Sequence, residues 1–130
     1  MSTSLQNETI IAIVDDDEPL LEALGSVLKA AGFSVAGYSS AEAFLQSAGW
    51  RETRCLILDV RLPGMSGIEL QRHLSDAGSQ VPIIFVTAHG DATLRQILLN
   101  AGASAFLNKP VRSETLLKEI HAALDGTTRN

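Results

Sequence analysis

Four apolar runs in this chain stop abruptly at residues that can do chemistry. Residues 10–14 (IIAIV) run into Asp15-Asp16-Asp17, residues 55–58 (CLIL) into Asp59, residues 83–86 (IIFV) into Thr87, and residues 104–107 (SAFL) into Asn108-Lys109-Pro110. If these ends meet, they pool the carboxylates of Asp15, Asp16 and Asp59 with one hydroxyl and one ammonium. Clustered carboxylates repel one another and must protonate or collect a cation. A set of oxygen donors suits Mg²⁺, which takes one or two carboxylates plus substrate oxygens and keeps several waters. With such a cation and Lys109 present, the site could accept a phosphoryl group despite its own charge. Phosphoryl transfer depends mainly on positioning and charge neutralisation, and an Asp carboxylate can be the acceptor. Asp59, at the end of a continuous apolar run, is the candidate acceptor.

The four ends can converge only if the runs are neighbouring parallel strands, and the intervening sequence supplies the required crossovers. After the first run, Asp17 can cap a helix whose first turn tolerates Pro19. Leu20, Leu21, Leu24, Val27, Leu28 and Ala31 follow helical spacing, and Gly32 closes the segment, which predicts a helix over 18–31. Residues 33–37 are mixed and suit an edge strand. Ser39 and Glu42 have capping-box spacing before a second helix (Ala41, Phe44, Leu45, Ala48) that stops at Gly49, and an exposed connection leads from Trp50 to Arg54. Ser66 and Glu69 repeat the box before a third helix (Ile68, Leu70, Leu74) ending near Gly78. Asp91 caps a fourth, with Leu94, Ile97, Leu98 and Ala101 on one face and Gly102 at its close. A fifth carries Leu116, Leu117, Ile120 and Leu124 and ends at Gly126.

Strands alternating with helices through short connections imply a parallel sheet with helices on both faces. The most apolar runs should be central and the runs at 33–37 and 104–107 the edges, giving a flavodoxin-like, doubly wound α/β sheet of five strands in the order 2-1-3-4-5 with five helices. Its switch point falls between strands one and three, where ligands of such sheets bind. Asp15, Asp16 and Asp59 then ring one crevice, with Thr87 and Lys109 on the same rim.

Bulk composition narrows the alternatives. The 130 residues make one domain, 45% hydrophobic against 19% charged, enough to form a core. A net charge of −5 with scattered basic residues argues against direct nucleic-acid contact. Residues 1–8 lack the basic start and apolar centre of a secretory signal, and no apolar run approaches a membrane span, so no membrane role is expected. The lone Cys55, inside an apolar run, reads as a buried hydrophobe in a reducing compartment, and the expected location is cytoplasmic.

Taken in order, the motifs VDDDE, LDVRLPGMSG, VTAHG and NKP resemble those of receiver domains of two-component response regulators, and the match runs from Ile10 to Leu124. LPGMSG with TAHGD most resembles receivers joined to a helix-turn-helix DNA-binding output domain. The resemblance assigns 9–125 to the receiver, 1–8 to a polar lead-in, and 126–130 to a tail or the start of a linker. It implies that a histidine kinase phosphorylates Asp59. Asp16, Asp59 and the main-chain carbonyl of Arg61 would bind Mg²⁺, Asp15 would help through water, and Thr87 and Lys109 would grip the phosphoryl oxygens. It implies a cis Lys109-Pro110 bond, and a switch in which the Thr87 hydroxyl moves toward the phosphoryl group while the aromatic ring at Phe106 turns inward. Phe106 departs from members with Tyr there and lacks the reporting hydroxyl. Arg61 and His89 stand where the family tunes the phosphorylated lifetime. The face built from helix four, strand five and helix five would then engage an output domain, a partner, or a second phosphorylated copy in a homodimer, to regulate transcription; any catalysis is limited to the chain's own phosphorylation and dephosphorylation.

Plainer readings accompany these. Asp17 is better a helix cap than a metal ligand, His73 and His121 are surface residues of helices, Gly64 and Gly67 serve backbone turns, Met65 covers the loop or packs locally, and Trp50 is a packing or interface residue. Two other functions compete. Asp15-Asp16-Asp17 also satisfies the strand-end D-x-D of haloacid-dehalogenase-like phosphatases, though the chain is short for that fold and leaves Asp59 unexplained. A docking module could keep the fold without the chemistry, against which the complete acid, Thr and Lys set argues.

Overall fold

In the computed structural model, which describes residues 9–88 and 90–128, every apolar run forms a strand and the strands pair in parallel. The strands are β1 (Ile10–Val14), β2 (Ser34–Tyr38), β3 (Cys55–Asp59), β4 (Ile83–Thr87) and β5 (Ala105–Asn108). Their order across the sheet is β2-β1-β3-β4-β5, as expected. The crossovers are α1 (Glu18–Ala30), α2 (Ala41–Gln46), α3 (Gly67–Asp76), α4 (Ala92–Asn100) and α5 (Ser113–Thr128). A short 3₁₀ turn (Trp50–Glu52) precedes β3.

Alternation along the strands divides the core into two layers. Ile11, Ile13, Cys55, Ile57, Ile84 and Val86 face Leu24 and Leu28 of α1 and Leu116 and Ile120 of α5. Ala12, Val14, Leu56, Leu58 and Phe85 face Phe44 of α2, Leu70 and Leu74 of α3 and Leu98 of α4. Every residue of β3 and β4 is buried, as a central parallel strand covered on both faces must be, while β2 is only half-buried. Cys55 sits in the first layer, and burial pushes its thiol up to about 12.

Caps fix the helix starts close to the sheet's carboxyl edge. Asp17 Oδ1 accepts from Leu20 N at 3.2 Å, Asp91 Oδ1 from Leu94 N at 2.8 Å, and Ser66 with Glu69 closes a reciprocal box. Gly32, Gly78 and Gly102 follow α1, α3 and α4 in the left-handed conformation.

The sequence expectations differ from the structure in several places, beginning with the β2 and β5 strands, each displaced by one residue toward its carboxyl end. Ser40, not Ser39, caps α2 through Ala43 N, so Glu42 is not at the box position, and its carboxylate reaches Met65 N. The α2 helix ends at Gln46 rather than Gly49, where the Ser47 hydroxyl donates to Phe44 O. The connection at 50–54 is not simply exposed: Thr53 is buried and Trp50 packs on the core, its ring 6.0 Å from that of Phe44. On α4, Leu98 is buried and Leu94 half-buried, but Ile97 is 55% exposed and Ala101 is exposed too, so the inward face is narrower than the apolar pattern. The fifth helix passes through Gly126 to Thr128, since Gly126 does not take the left-handed conformation that would stop it. The lead-in at 1–8 lies outside the described residues, as does the end of the segment at 126–130.

Candidate phosphoacceptor site

Because β1 and β3 are neighbours, their carboxyl ends bring Asp15, Asp16 and Asp59 together, with carboxylate oxygens all within 4.8 Å of one another. Asp15 and Asp59 are buried and Asp16 is exposed, so the cluster opens to solvent through Asp16. Asp15 is held from both sides: its Oδ1 accepts from Asp17 N at 2.9 Å, and its Oδ2 lies 2.8 Å from Lys109 Nζ. The same Nζ donates to Asp59 Oδ2 at 3.3 Å, and Asp59 Oδ1 accepts from Arg61 N at 3.2 Å. Lys109 thus bridges the two buried acids directly.

The electrostatics follow from this arrangement. Burial, then the charge of Asp15, pushes the Asp59 carboxyl above the ordinary range, against the opposing pull of the Arg61 N–H and Lys109. Burial alone would lower Lys109, but its hydrogen bond and charge attraction to Asp15, then to Asp59, raise it. Three hard oxygen donors, one exposed, fit Mg²⁺ better than a softer ion.

The remaining predicted residues are placed as follows. Thr87 is buried at the end of β4, beside β5, and its carbonyl accepts from Lys109 N at 2.9 Å. The Lys109-Pro110 bond is cis. Phe106 is buried, with its ring inward. Arg61 is exposed on the loop after Asp59, whereas His89 lies outside the described residues. Asp17 caps α1 and His73 is exposed on α3; His121, though exposed, packs tilted against Phe33 with ring centroids 5.7 Å apart.

Three residues emerge only in three dimensions. Gly67 does not serve a left-handed turn; a Cβ there would collide with the Asp59 carbonyl oxygen, so its role is to let α3 start against the backbone of Asp59. Gly90 makes the same kind of room for the Phe106 ring, and Glu42 reaches the loop beyond Asp59. No local pattern encodes any of these, since each depends on a neighbour distant in the chain.

An open α/β sheet in this order, with an acid cluster at its switch point and a hydroxyl and a lysine on the same rim, has the architecture of the receiver class of signalling domains. The family model described as "Response regulator receiver domain" matches residues 11–121, and the chain belongs to that family. It is 49% identical over 117 residues to the response regulator protein TmoT of Ectopseudomonas mendocina, covering 90% of this chain and 53% of the relative. It is 39% identical over 113 residues to the transcriptional regulatory protein FixJ of Rhizobium meliloti, covering 87% of this chain and 55% of that one. Among solved structures, the response regulator StyR superposes with a TM-score of 0.84 at 40% identity, covering 93% of this chain and 61% of that chain. The chain therefore spans about half the length of the curated relatives it matches. It is a signalling domain rather than an enzyme of metabolism, and no helix among the described residues is long and apolar enough to cross a membrane.

Proposed function

We propose that Asp59 accepts a phosphoryl group from a histidine kinase and that the modification switches a distant face of the domain. The observation that carries this is Asp59 itself: a buried carboxylate at the end of the central strand, 3.3 Å from Lys109 and inside an acid cluster with Asp15 and Asp16. Asp16, Asp59 and the Arg61 carbonyl would hold Mg²⁺, with Asp15 assisting through water; bound there, the ion neutralises charge on the incoming phosphoryl oxygens. A carboxylate oxygen of Asp59 forms the new bond to phosphorus as the bond to the donor nitrogen breaks. Lys109 supplies positive charge on one side and the Thr87 hydroxyl a hydrogen bond on the other.

The partner surfaces follow from position. An open groove of about 420 Å³, lined by Leu20, Leu24 and Val27 of α1 and by Pro110 and Val111, adjoins Lys109 and offers apolar surface to a docking kinase. On the other flank, Phe106 packs in the same core layer as Leu94 and Leu98 of α4, where Ile97 is exposed. We assign to α4, β5 and α5 the surface that engages an output domain, a partner or a second phosphorylated copy, controlling transcription in the cytoplasm as a two-component response regulator. Phosphorylation would shift a pre-existing equilibrium between two arrangements of that surface.

Intact mass after incubation with acetyl phosphate and Mg²⁺ tests the reading. One phosphoryl group should be gained by the native chain and none by Asp59→Asn; a gain that persists in the variant would overturn it.

A further inference from the structure

The loop that leaves Asp59 is tied down by one charged side chain from a different element. Glu42, near the start of α2, accepts a hydrogen bond from Met65 N at 2.8 Å across 23 residues of sequence. Ser40 caps the helix through Ala43 N, and the Glu42 carboxylate also accepts from its own backbone N–H. The other bonds that shape the loop are local: Arg61 N to Asp59 Oδ1, Gly67 N to Val60 O, and Ser66 N to Glu69 Oε1.

The backbone at Gly64 is fitted to this contact. Its φ is +77°, and a Cβ on it would stand 2.5 Å from Glu42 Oε2. Only glycine both takes that conformation easily and leaves room for the carboxylate. The Met65 N–H in turn holds the Glu42 carboxyl below its ordinary range, so it is ionised at neutral pH and the bond is charge-assisted. Met65 packs against the core layer beneath, which anchors the loop from the other side.

We propose that Glu42 is a positioning residue of the phosphoacceptor site. By holding Met65 N–H beside the Gly64 turn, it fixes the path of residues 60–66 and thereby the backbone of Arg61, whose N–H contacts Asp59 and whose carbonyl is assigned to the metal. This rests on the reading of Asp59 as a metal-assisted acceptor. It makes α2, which supplies no atom to the site, a determinant of metal affinity.

The test compares Glu42→Ala with Glu42→Gln, whose Oε1 can still accept from Met65 N. In metal-free protein, exchange of the Met65 amide hydrogen should quicken about tenfold in Glu42→Ala, the loss of one charge-assisted bond. Mg²⁺, titrated while the Arg61 amide resonance is followed, should bind roughly three- to tenfold more weakly to Glu42→Ala and within about twofold of native to Glu42→Gln. Unchanged Mg²⁺ affinity in Glu42→Ala overturns the proposal, and so does an equal loss in both variants, which would assign the effect to charge rather than to the hydrogen bond. Phosphorylation of the native chain and of Asp59→Asn by acetyl phosphate is measured alongside. If the acceptor reading alone fails there, amide exchange and Mg²⁺ titration still decide the role of Glu42.

Discussion

The edge of the Phe106 ring lies against the bare backbone of Gly90: a Cβ at position 90 would collide with Cζ and Cε1 of the ring and crowd Asn108 Oδ1. The inward ring therefore depends on the loop after β4 carrying no side chain at that point. Gly90→Ala should expel the ring or shift the loop, at a cost of about 1–3 kcal/mol in urea unfolding. In a Phe106→Ala background the ring clash is gone and only the crowding of Asn108 Oδ1 remains, so the cost should fall, and a double-mutant cycle reads the Phe106 part of it.

Asp59 is costly to ionise where it stands. Its folded-state pKa lies above its ordinary value of 3.8, so the folded chain holds that proton more tightly than the unfolded chain does. Stability from this group is greatest at low pH and falls as pH rises from the ordinary value through the raised one. Asp59→Asn, measured with EDTA present, should melt higher than the native chain at pH 7, and the advantage should close as pH falls below 3.8.

Lys109 is the counter-charge for Asp15 and Asp59, with its side chain 18% exposed. Lys109→Met leaves the two buried carboxylates facing each other and should cost about 1–3 kcal/mol at pH 7 without divalent cations, less than a fully buried pair because solvent screens part of it. Millimolar Mg²⁺ or acidification should recover much of the loss. The folded-state pKa of Lys109 is raised, so its contribution in the native chain is complete below 10.5 and is lost as pH rises through the higher folded value. Chemical denaturation across pH, with and without Mg²⁺, measures both effects.

Cys55 should behave as core. With its thiol pushed up to about 12, it should resist maleimide in the folded state and react on unfolding. The folded chain keeps this proton where the unfolded thiol, at 9.0, gives it up, so stability should fall as pH rises from 9.0 toward 12. Cys55→Ala should remove that part of the alkaline loss, measured by thermal melts against pH.

The sheet was legible because parallel strands buried on both faces must be continuous apolar runs, and the runs at 10–14, 55–58 and 83–86 stand out in any reading. The acids were legible for a related reason: each interrupts such a run at the sheet edge where ligands bind. Local patterns failed where tertiary partners outcompeted them. The spacing of Ser39 and Glu42 announces a capping box, yet the cap falls on Ser40, which puts Ala43 at the box position, and the Glu42 carboxylate reaches Met65 N in the loop after β3. Likewise, Ile97 fits an inward helical stripe, but α4 rests on the sheet along a line too narrow to cover it.

The site draws on four strand ends that span the chain from Asp15 to Lys109, and β5, which brings the lysine, is held in the sheet by β4 alone. During synthesis, Asp59 therefore leaves the ribosome long before its counter-charge does. The ion pairs that offset the buried carboxylates of Asp15 and Asp59 cannot close in a nascent chain until β5 and Lys109 have emerged.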